Sequence, residues 1–181
     1  PSNAASIGSN NIKAIFRDNR GQIWIGLYEG GLELFDLKSG SFKHFKPNPN
    51  DSTSVSHGYV SSITQDRQGR LWIGTSSKGI NLYNYEKQTF TRINSTSKGL
   101  KISNDYIRTM LGDSKGNLWV GTAVGLSVLR NGSNQFERFY KHKDGLTSDY
   151  INCILEHPSG NIWVGSQRGG LSKYLIKERK F

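Results

Sequence analysis

The sequence has little of several residue types, and each shortage excludes a class of protein. It contains a single cysteine, Cys153, so no intramolecular disulfide can form. No apolar run approaches the roughly 18 residues that a membrane-spanning helix needs. Acidic residues are also scarce, because 14 Asp and Glu stand against 24 Lys and Arg, for a formal net charge of +10. The basic residues are scattered along the chain, which favours a solvated surface over a binding site for a polyanion such as an acidic glycan or a nucleic acid.

Residues that carry out catalysis or bind metals are not grouped in any recognisable pattern. Cys153 lies in a predicted strand, where we expect a buried thiol that acts as a small hydrophobic group. The histidines are spread over separate segments without metal-ligand spacing, at His44, His57, His142 and His157. There is no G-x-S-x-G elbow, and Ile80 stands where a phosphate-binding loop would need lysine. We therefore predict no catalytic residue, no metal and no cofactor.

What the sequence does contain is one nine-residue motif that occurs four times. The copies span residues 18–26, 66–74, 113–121 and 157–165. Their tryptophans are 48, 47 and 44 residues apart and are the only ones in the protein, at Trp24, Trp72, Trp119 and Trp163. A repeat of this period indicates a repeat architecture.

The motif has the chemistry of a tight turn that leads into a buried strand. An aspartate begins the turn and can accept hydrogen bonds from backbone N–H groups. A glycine three residues later can adopt a positive φ. Three consecutive apolar residues follow, so the strand is expected to be covered on both faces. We assign the motif residues a structural role: Asp18, Trp24, Asp66, Trp72, Asp113, Trp119 and Trp163.

Each repeat divides into four short strands separated by turn residues. In the second repeat they are predicted at 59–65, 70–75, 80–85 and 90–93. Four antiparallel strands per 40–50 residues is typical of a β-propeller blade. We therefore predict an all-β propeller fragment of about four blades, each a four-stranded antiparallel sheet, at approximately 10–45, 57–93, 104–140 and 148–181. The last blade is expected to be incomplete, because its outer strand would begin at Phe181.

Two further expectations concern the ends of the chain. Residues 1–4 include Ser-Asn-Ala and look like the remnant of an expression tag, so the blades would occupy residues 5–181 of a piece of a longer protein. An arc of four blades exposes two apolar faces and an unpaired sheet edge. We expect these faces to be covered in a homodimer that closes the ring, or else in a tight ring of four blades.

The pattern D-x-x-G-x-[IL]-W-[IV]-G resembles the two-component regulator propeller repeat, with His157 replacing the aspartate in the last copy. The third copy is also one residue short between Gly121 and Gly125. The resemblance implies a periplasmic sensor region of a bacterial hybrid two-component protein, whose histidine kinase activity would lie outside this segment. It also implies a non-enzymatic module that recognises oligosaccharides.

Candidate ligand-binding residues come from the loops that meet on one face of a propeller. Aromatic rings stack on the C–H faces of sugars, and the polar groups between the rings form hydrogen bonds with the sugar hydroxyl groups. The candidates are Tyr28, Glu29, His57, Tyr59, Lys78, Tyr106, Tyr150 and Arg168. The three equivalent tyrosines at 59, 106 and 150 could instead serve packing between blades. Glu29, Lys78 and Arg168 differ between blades and are therefore more informative about an asymmetric ligand.

The sequence leaves three functions open. The first is a sensor module that binds a glycan fragment, with no nucleic-acid partner and with contact to the membrane only through other segments of its parent. The second is a scaffold that contributes only structure and dimerisation. The third is a propeller enzyme that acts on acidic polysaccharide, such as a lyase, against which we count the lack of clustered His, Tyr and Arg.

Overall fold

The computed structural model describes residues 6–181, so the predicted tag remnant at 1–4 lies outside the described residues. Four separate antiparallel sheets form, which we call blades 1 to 4. Blade 1 contains β1 (Ile12–Arg17), β2 (Ile23–Leu27), β3 (Leu32–Phe35) and β4 (Phe42–Phe45). Blade 2 contains β5 (Val60–Gln65), β6 (Leu71–Thr75), β7 (Ile80–Asn84) and β8 (Thr89–Ile93).

Blades 3 and 4 follow the same plan. Blade 3 contains β9 (Ile107–Gly112), β10 (Leu118–Thr122), β11 (Leu126–Leu129) and β12 (Phe136–Phe139). A one-turn helix that the sequence did not predict, α1 (Lys141–Asp144), leads to blade 4, which contains β13 (Ile151–Glu156), β14 (Ile162–Ser166) and β15 (Gly170–Tyr174). The strands of each blade pair in chain order, and the last sheet has three strands. The predicted propeller fold with an incomplete last blade is confirmed.

The repeated aspartate organises the turn between the first two strands of blades 1 to 3. In blade 2, Asp66 Oδ1 accepts the backbone N–H groups of Gln68 and Arg70, and Gly69 adopts a φ of +77°. Its other oxygen accepts the indole N–H of Trp72 at 2.8 Å. The corresponding indole bonds measure 2.9 Å in blade 1 and 2.7 Å in blade 3. The carboxylate thus fixes both the turn and the tryptophan on the strand that follows.

Successive blades pack face to face, with β1 beside β5, β5 beside β9 and β9 beside β13. The tryptophan of each of the first three blades is fully buried and packs on the next blade; Trp24 lies 4.9 Å from Tyr83 and Trp119 lies 5.1 Å from Tyr174, measured between ring centroids. Every residue of β6 and of β10 is buried. These strands are covered on both faces, as the apolar triplets predict.

A glycine at the end of each second strand makes this close packing possible. A methyl group at Gly26 would lie 2.6 Å from Val60 Cγ1, and one at Gly74 would lie 2.6 Å from Ile107 Cγ2. Gly121 meets Ile151 in the same way. The glycine therefore forms a socket for a β-branched residue of the next blade, and a side chain there would push the blades apart.

Polar contacts also cross the interfaces between blades. The Tyr85 hydroxyl of blade 2 donates to Asp18 Oδ2 of blade 1 at 2.9 Å. Burial, followed by this hydrogen bond and the charge of Asp18, raises the pKa of the Tyr85 hydroxyl well above its usual value. Between blades 2 and 3, the Met110 amide donates to Ser62 Oγ and the Gly112 amide to Thr64 Oγ1. The blades are therefore held in register as well as packed.

Within residues 6–181, no blade packs on the outer face of blade 1 or on the outer face of blade 4. Ile15 of blade 1 is 67% exposed, although its equivalents Ile63 and Met110 are buried. On blade 4, Leu155 and Leu171 are 65% and 60% exposed. Blades 1 and 4 therefore do not cover each other, and the alternative of a tight four-blade ring is wrong for this chain.

The same open face overturns the expectation for Cys153. We expected a buried thiol, but the side chain is exposed. Its equivalents Ser62 and Thr109 face the following blade, whereas no described blade packs on this face of blade 4. Trp163 is only half-buried for the same reason. At the end of the chain Leu175 and Lys180 form an isolated antiparallel bridge, and Phe181 packs on Tyr174.

Candidate functional site

One end of the blades, which we call the channel face, gathers the loops that enter each inner strand and the loops that join the second and third strands. Each entry loop is closed by a side chain that accepts the amide two residues later. His57 Nδ1 accepts the Tyr59 amide, Asn104 Oδ1 accepts the Tyr106 amide, and Ser148 Oγ accepts the Tyr150 amide. His57 is therefore a turn residue whose place is taken by asparagine or serine in the other blades.

Backbone hydrogen bonds hold these loops to one another within and between blades. The Tyr59 carbonyl accepts the Ser76 amide from the second loop of its own blade. The same loops also reach the next blade, where the Gly79 amide donates to the Asp105 carbonyl at 3.0 Å and the Gly125 amide donates to the Asp149 carbonyl at 2.7 Å. The channel face is thus a connected backbone network that fixes the position of its side chains.

A pocket of about 190 Å³ opens on this face between blades 1, 2 and 3, and we call it the channel pocket. Two tyrosines, two serines, one isoleucine and two cations line it: Lys13, Tyr59, Ser61, Ser76, Tyr106, Ile107 and Arg108. Lys13, Ser61 and Arg108 occupy the second position of their inner strands, where blade 4 carries Asn152. We call these four equivalent residues the channel row.

Lys13 is held over two aromatic rings. Its Nζ lies 5.0 Å from the ring centroid of Tyr28 and 6.0 Å from that of Tyr59. The two rings are themselves in contact, with centroids 4.7 Å apart. This arrangement places an ammonium group against an aromatic surface at the edge of the pocket, which is favourable by cation–π attraction.

Arg108 is held by its neighbour in the next blade. Its Nη1 donates to the Tyr150 hydroxyl at 2.9 Å, and its Nε donates to Asn152 Oδ1 at 3.1 Å. The guanidinium also stacks on the Tyr150 ring, with Cζ 4.4 Å from the centroid. Two bonds and a stacking contact orient the fork, so that its remaining donors are presented at a fixed place.

The structure brings only some of the predicted site residues to this pocket. Tyr59 and Tyr106 line it, Tyr28 stacks beside Tyr59, and Tyr150 supports Arg108. The remaining predicted residues stand on exposed loop tips away from its lining: Glu29, Lys78 and Arg168. His57 contributes its ring to the turn described above.

Sequence reasoning missed the two cations of the channel row. The signal was present, because this position reads Lys, Ser, Arg and Asn in the four copies, each time directly after an apolar residue. A polar residue that varies at one register position of equivalent strands indicates a face turned to solvent or ligand. From the sequence, we counted the lack of clustered His, Tyr and Arg against a polysaccharide-active enzyme. The structure does bring tyrosines and Arg108 together in this pocket, with Lys13 in place of a histidine, so the lack of such a cluster no longer counts against an enzyme.

A larger cavity, of about 480 Å³, lies at the outer edge of blade 1. Its apolar lining includes Phe35, Leu37 and Phe42, and its rim carries Arg20 and Lys43. Phe35 and Phe42 lie on the outer side of blade 1, where no other blade packs. This cavity therefore belongs to the open end of the arc, and the loops of the channel face do not reach it.

Within residues 6–181, no group of three or more His, Cys, Asp or Glu side chains is placed to hold a metal ion. In the same part of the chain, no helix is both long enough and apolar enough to cross a membrane. The polar chemistry available in the channel pocket is that of hydroxyls, aromatic rings and two cations.

Comparison with known families identifies the repeat. The family model of the two component regulator propeller matches residues 6–29, 54–77, 101–123 and 145–168, which together exceed half of the chain. The chain belongs to the two-component regulator propeller family. Each match covers an entry loop, the first two strands and the start of the loop that follows, so the recurring unit includes the loops that form the channel face.

Solved structures of the same architecture include sensor-type proteins of one organism. The extracellular domain of the hybrid two component system BT3049 from B. thetaiotaomicron aligns with a TM-score of 0.84 and 26% identity over 99% of this chain and 24% of its own. That of the hybrid two component system BT4673 from the same organism aligns with a TM-score of 0.73 and 27% identity over 92% of this chain and 21% of its own. The chain thus spans about a quarter of the length of these neighbours.

A more distant neighbour shows the fold alone. Virginiamycin B lyase from Staphylococcus aureus aligns with a TM-score of 0.65 at 13% identity, over 93% of this chain and 57% of its own. No curated protein matches the sequence.

Proposed function

We propose that this chain is part of the extracytoplasmic sensor region of a two-component signalling protein and binds an oligosaccharide at its channel face. The observation that carries the proposal is the channel pocket, where Tyr59 and Tyr106 stand among hydroxyl groups and cations on a backbone network that spans the blades. Aromatic rings with interspersed hydrogen-bonding groups are the surface that sugar rings require. Family membership and the extracellular neighbours support the sensor role and a periplasmic location.

Signal transmission would depend on parts of the parent protein other than this chain. A ligand can shift a protein only toward the arrangement that it binds more tightly. Backbone hydrogen bonds join the entry loop of one blade to the preceding blade. A ligand bound to these loops could therefore change the distance between neighbouring blades. Histidine kinase activity in the parent would then respond to that change.

Calorimetric titration of the protein against a panel of oligosaccharides tests this proposal. We expect Tyr106→Ala to abolish binding and Tyr106→Phe to retain most of it, because phenylalanine keeps the stacking ring and loses only the hydroxyl. Binding that survives in Tyr106→Ala, or a panel in which no oligosaccharide binds, would contradict the proposal. Degradation products in the same mixtures would show a polysaccharide-active enzyme instead.

The open blade faces support a second candidate function, a scaffold that dimerises. Gly165 of blade 4 occupies the socket position, and Ile12 of blade 1 is the exposed equivalent of the residues that fill such sockets in the other blades. Ile12 of one copy can therefore pack on Gly165 of another, and the reciprocal contact would close a ring of two arcs. In this reading the homodimer is the functional unit and the ligand binds elsewhere in the parent.

A further inference from the structure

The channel pocket presents two cations without a carboxylate to neutralise them. Within the described residues, neither Lys13 nor Arg108 has an ion-pair partner among the salt bridges, which lie elsewhere in the protein. Each cation is instead placed against tyrosine rings. Arg108 is half-buried and Lys13 is exposed. A half-buried positive charge attracts an anion more strongly than a fully solvated one does, and the exposed lysine adds a second positive charge beside the same pocket.

The acidic residues of the channel face are engaged away from the pocket. Asp105 Oδ1 accepts the Ser95 amide at 2.6 Å, and Asp149 Oδ1 accepts the Lys141 amide at 2.7 Å. These bonds direct both carboxylates to the outer loops between blades. Glu29 stands on an exposed loop tip and does not line the pocket. The potential inside the pocket is therefore set by Lys13 and Arg108.

The two cations are also the residues that make the channel row asymmetric. The equivalent positions of blades 2 and 4 carry Ser61 and Asn152, which are neutral. A ligand that enters the axis of a propeller meets each blade once, so an unequal row fixes its orientation. The volume of about 190 Å³ is below the roughly 300 Å³ of pockets that enclose drug-sized ligands, which limits the enclosed part to a single sugar unit.

From these observations we infer that the channel pocket recognises the acid group of an anionic sugar, a uronate carboxylate or a sulfate ester, through Lys13 and the Arg108 fork. Tyr59 and Tyr106 then contact the ring of the same sugar unit. The inference rests on the proposed function and narrows its ligand class. Arginine binds planar carboxylate and tetrahedral sulfate oxygens through paired N–H donors, which a lysine supplements as a point charge.

An array of matched neutral, uronate-bearing and sulfated oligosaccharides tests the inference, with calorimetry on the compounds that bind. We expect acidic members to bind more tightly than their neutral counterparts. Lys13→Gln and Arg108→Gln should each weaken acidic binding about tenfold or more, while binding of neutral sugars changes little. The uronate and sulfate sets distinguish the two possible acid groups.

Lys87→Gln is the matched control, because Lys87 lies exposed in the turn between β7 and β8 and changes the net charge equally. Arg108→Lys serves as a second variant that keeps the charge and removes the fork, and it should retain part of the affinity. Equal losses in Lys87→Gln and Lys13→Gln would overturn the inference, since binding would then follow net charge. Tighter binding of neutral sugars would also overturn the inference, but it would still support an oligosaccharide site. If no oligosaccharide of the array bound, both the inference and the proposed function would be overturned.

Discussion

At the scale of single residues, the aspartate of the repeat has two tasks that the sequence reveals only in part. Its turn-forming role follows from the Asp-x-x-Gly spacing. The indole bond does not, because it joins residues six apart that meet only after the hairpin forms. His157 shows what happens when the aspartate is replaced: its Nδ1 accepts the Ser159 amide at 3.1 Å and contacts the Ser159 hydroxyl instead of the indole of Trp163.

We predict that His157→Asp stabilises the protein by about 1 kcal/mol, because the new carboxylate can accept both turn amides and the Trp163 indole N–H. Gly160 already adopts the φ of +82° that the turn requires. Urea unfolding followed by tryptophan fluorescence measures the change. His157→Ala is the control, which removes the turn bond and adds none; equal stabilities of the two variants would refute the prediction.

Tyr85 gives the protein a specific sensitivity to alkaline pH. The pKa of its hydroxyl is raised in the folded state. The protonated hydroxyl therefore contributes fully to the free energy of unfolding below the unfolded pKa of about 10, and this contribution is lost as the pH rises toward the folded pKa. We predict that the wild-type protein is more stable than Tyr85→Phe at pH 8 and that this difference shrinks by pH 11. Urea unfolding at both values measures it. A difference that stays constant with pH would show that the bond to Asp18 has no linked titration.

At the scale of elements, the blade could be predicted well because its signals are local. An apolar triplet and a turn glycine lie within nine residues of each other in every copy, and the repeat of this motif along the chain then sets the strands of each blade. What the sequence could not show is how equivalent positions meet around the axis. Lys13 and Arg108 lie in different blades, and their common pocket depends on blade spacing that no local pattern encodes. The candidate site was therefore only half predicted, through its tyrosines.

The glycine sockets make a prediction about contacts between elements. Gly74→Ala places a methyl group 2.6 Å from Ile107 and should destabilise the protein by about 1–3 kcal/mol through overpacking. Within one chain, Gly165→Ala meets Cys153 Sγ, a side chain that can rotate away, and should cost less than Gly74→Ala in the monomer. Chemical unfolding of both variants compares them. Equal costs would indicate that the penalty comes from the strand itself and not from the next blade.

At the scale of the whole molecule, the exposed faces of blades 1 and 4 are the feature that the sequence anticipated most directly. The repeat predicts an arc, and an arc predicts two open apolar faces. The exposure of Ile15, Leu155 and Leu171 places those faces on opposite ends of the chain. The consequence missed from sequence was the exposure of Cys153, because its position in a predicted strand suggested a buried side chain.

We predict that the protein forms a dimer in solution, with twice its chain mass of 20.2 kDa by light scattering. Leu171→Glu places a charge on the open face of blade 4 and should yield a monomer. Val124→Glu is the matched control, since Val124 is also exposed but lies on the channel face. A wild-type monomer at all concentrations, or a Leu171→Glu dimer, would contradict pairing through these faces.

The most direct test of the account is a crystal structure of the protein with an oligosaccharide that calorimetry shows to bind. The account predicts a sugar unit in the channel pocket, with its ring against Tyr59 or Tyr106 and polar contacts to Arg108. A sugar bound instead in the outer cavity beside Phe35, or on the open face at Trp163, would contradict it.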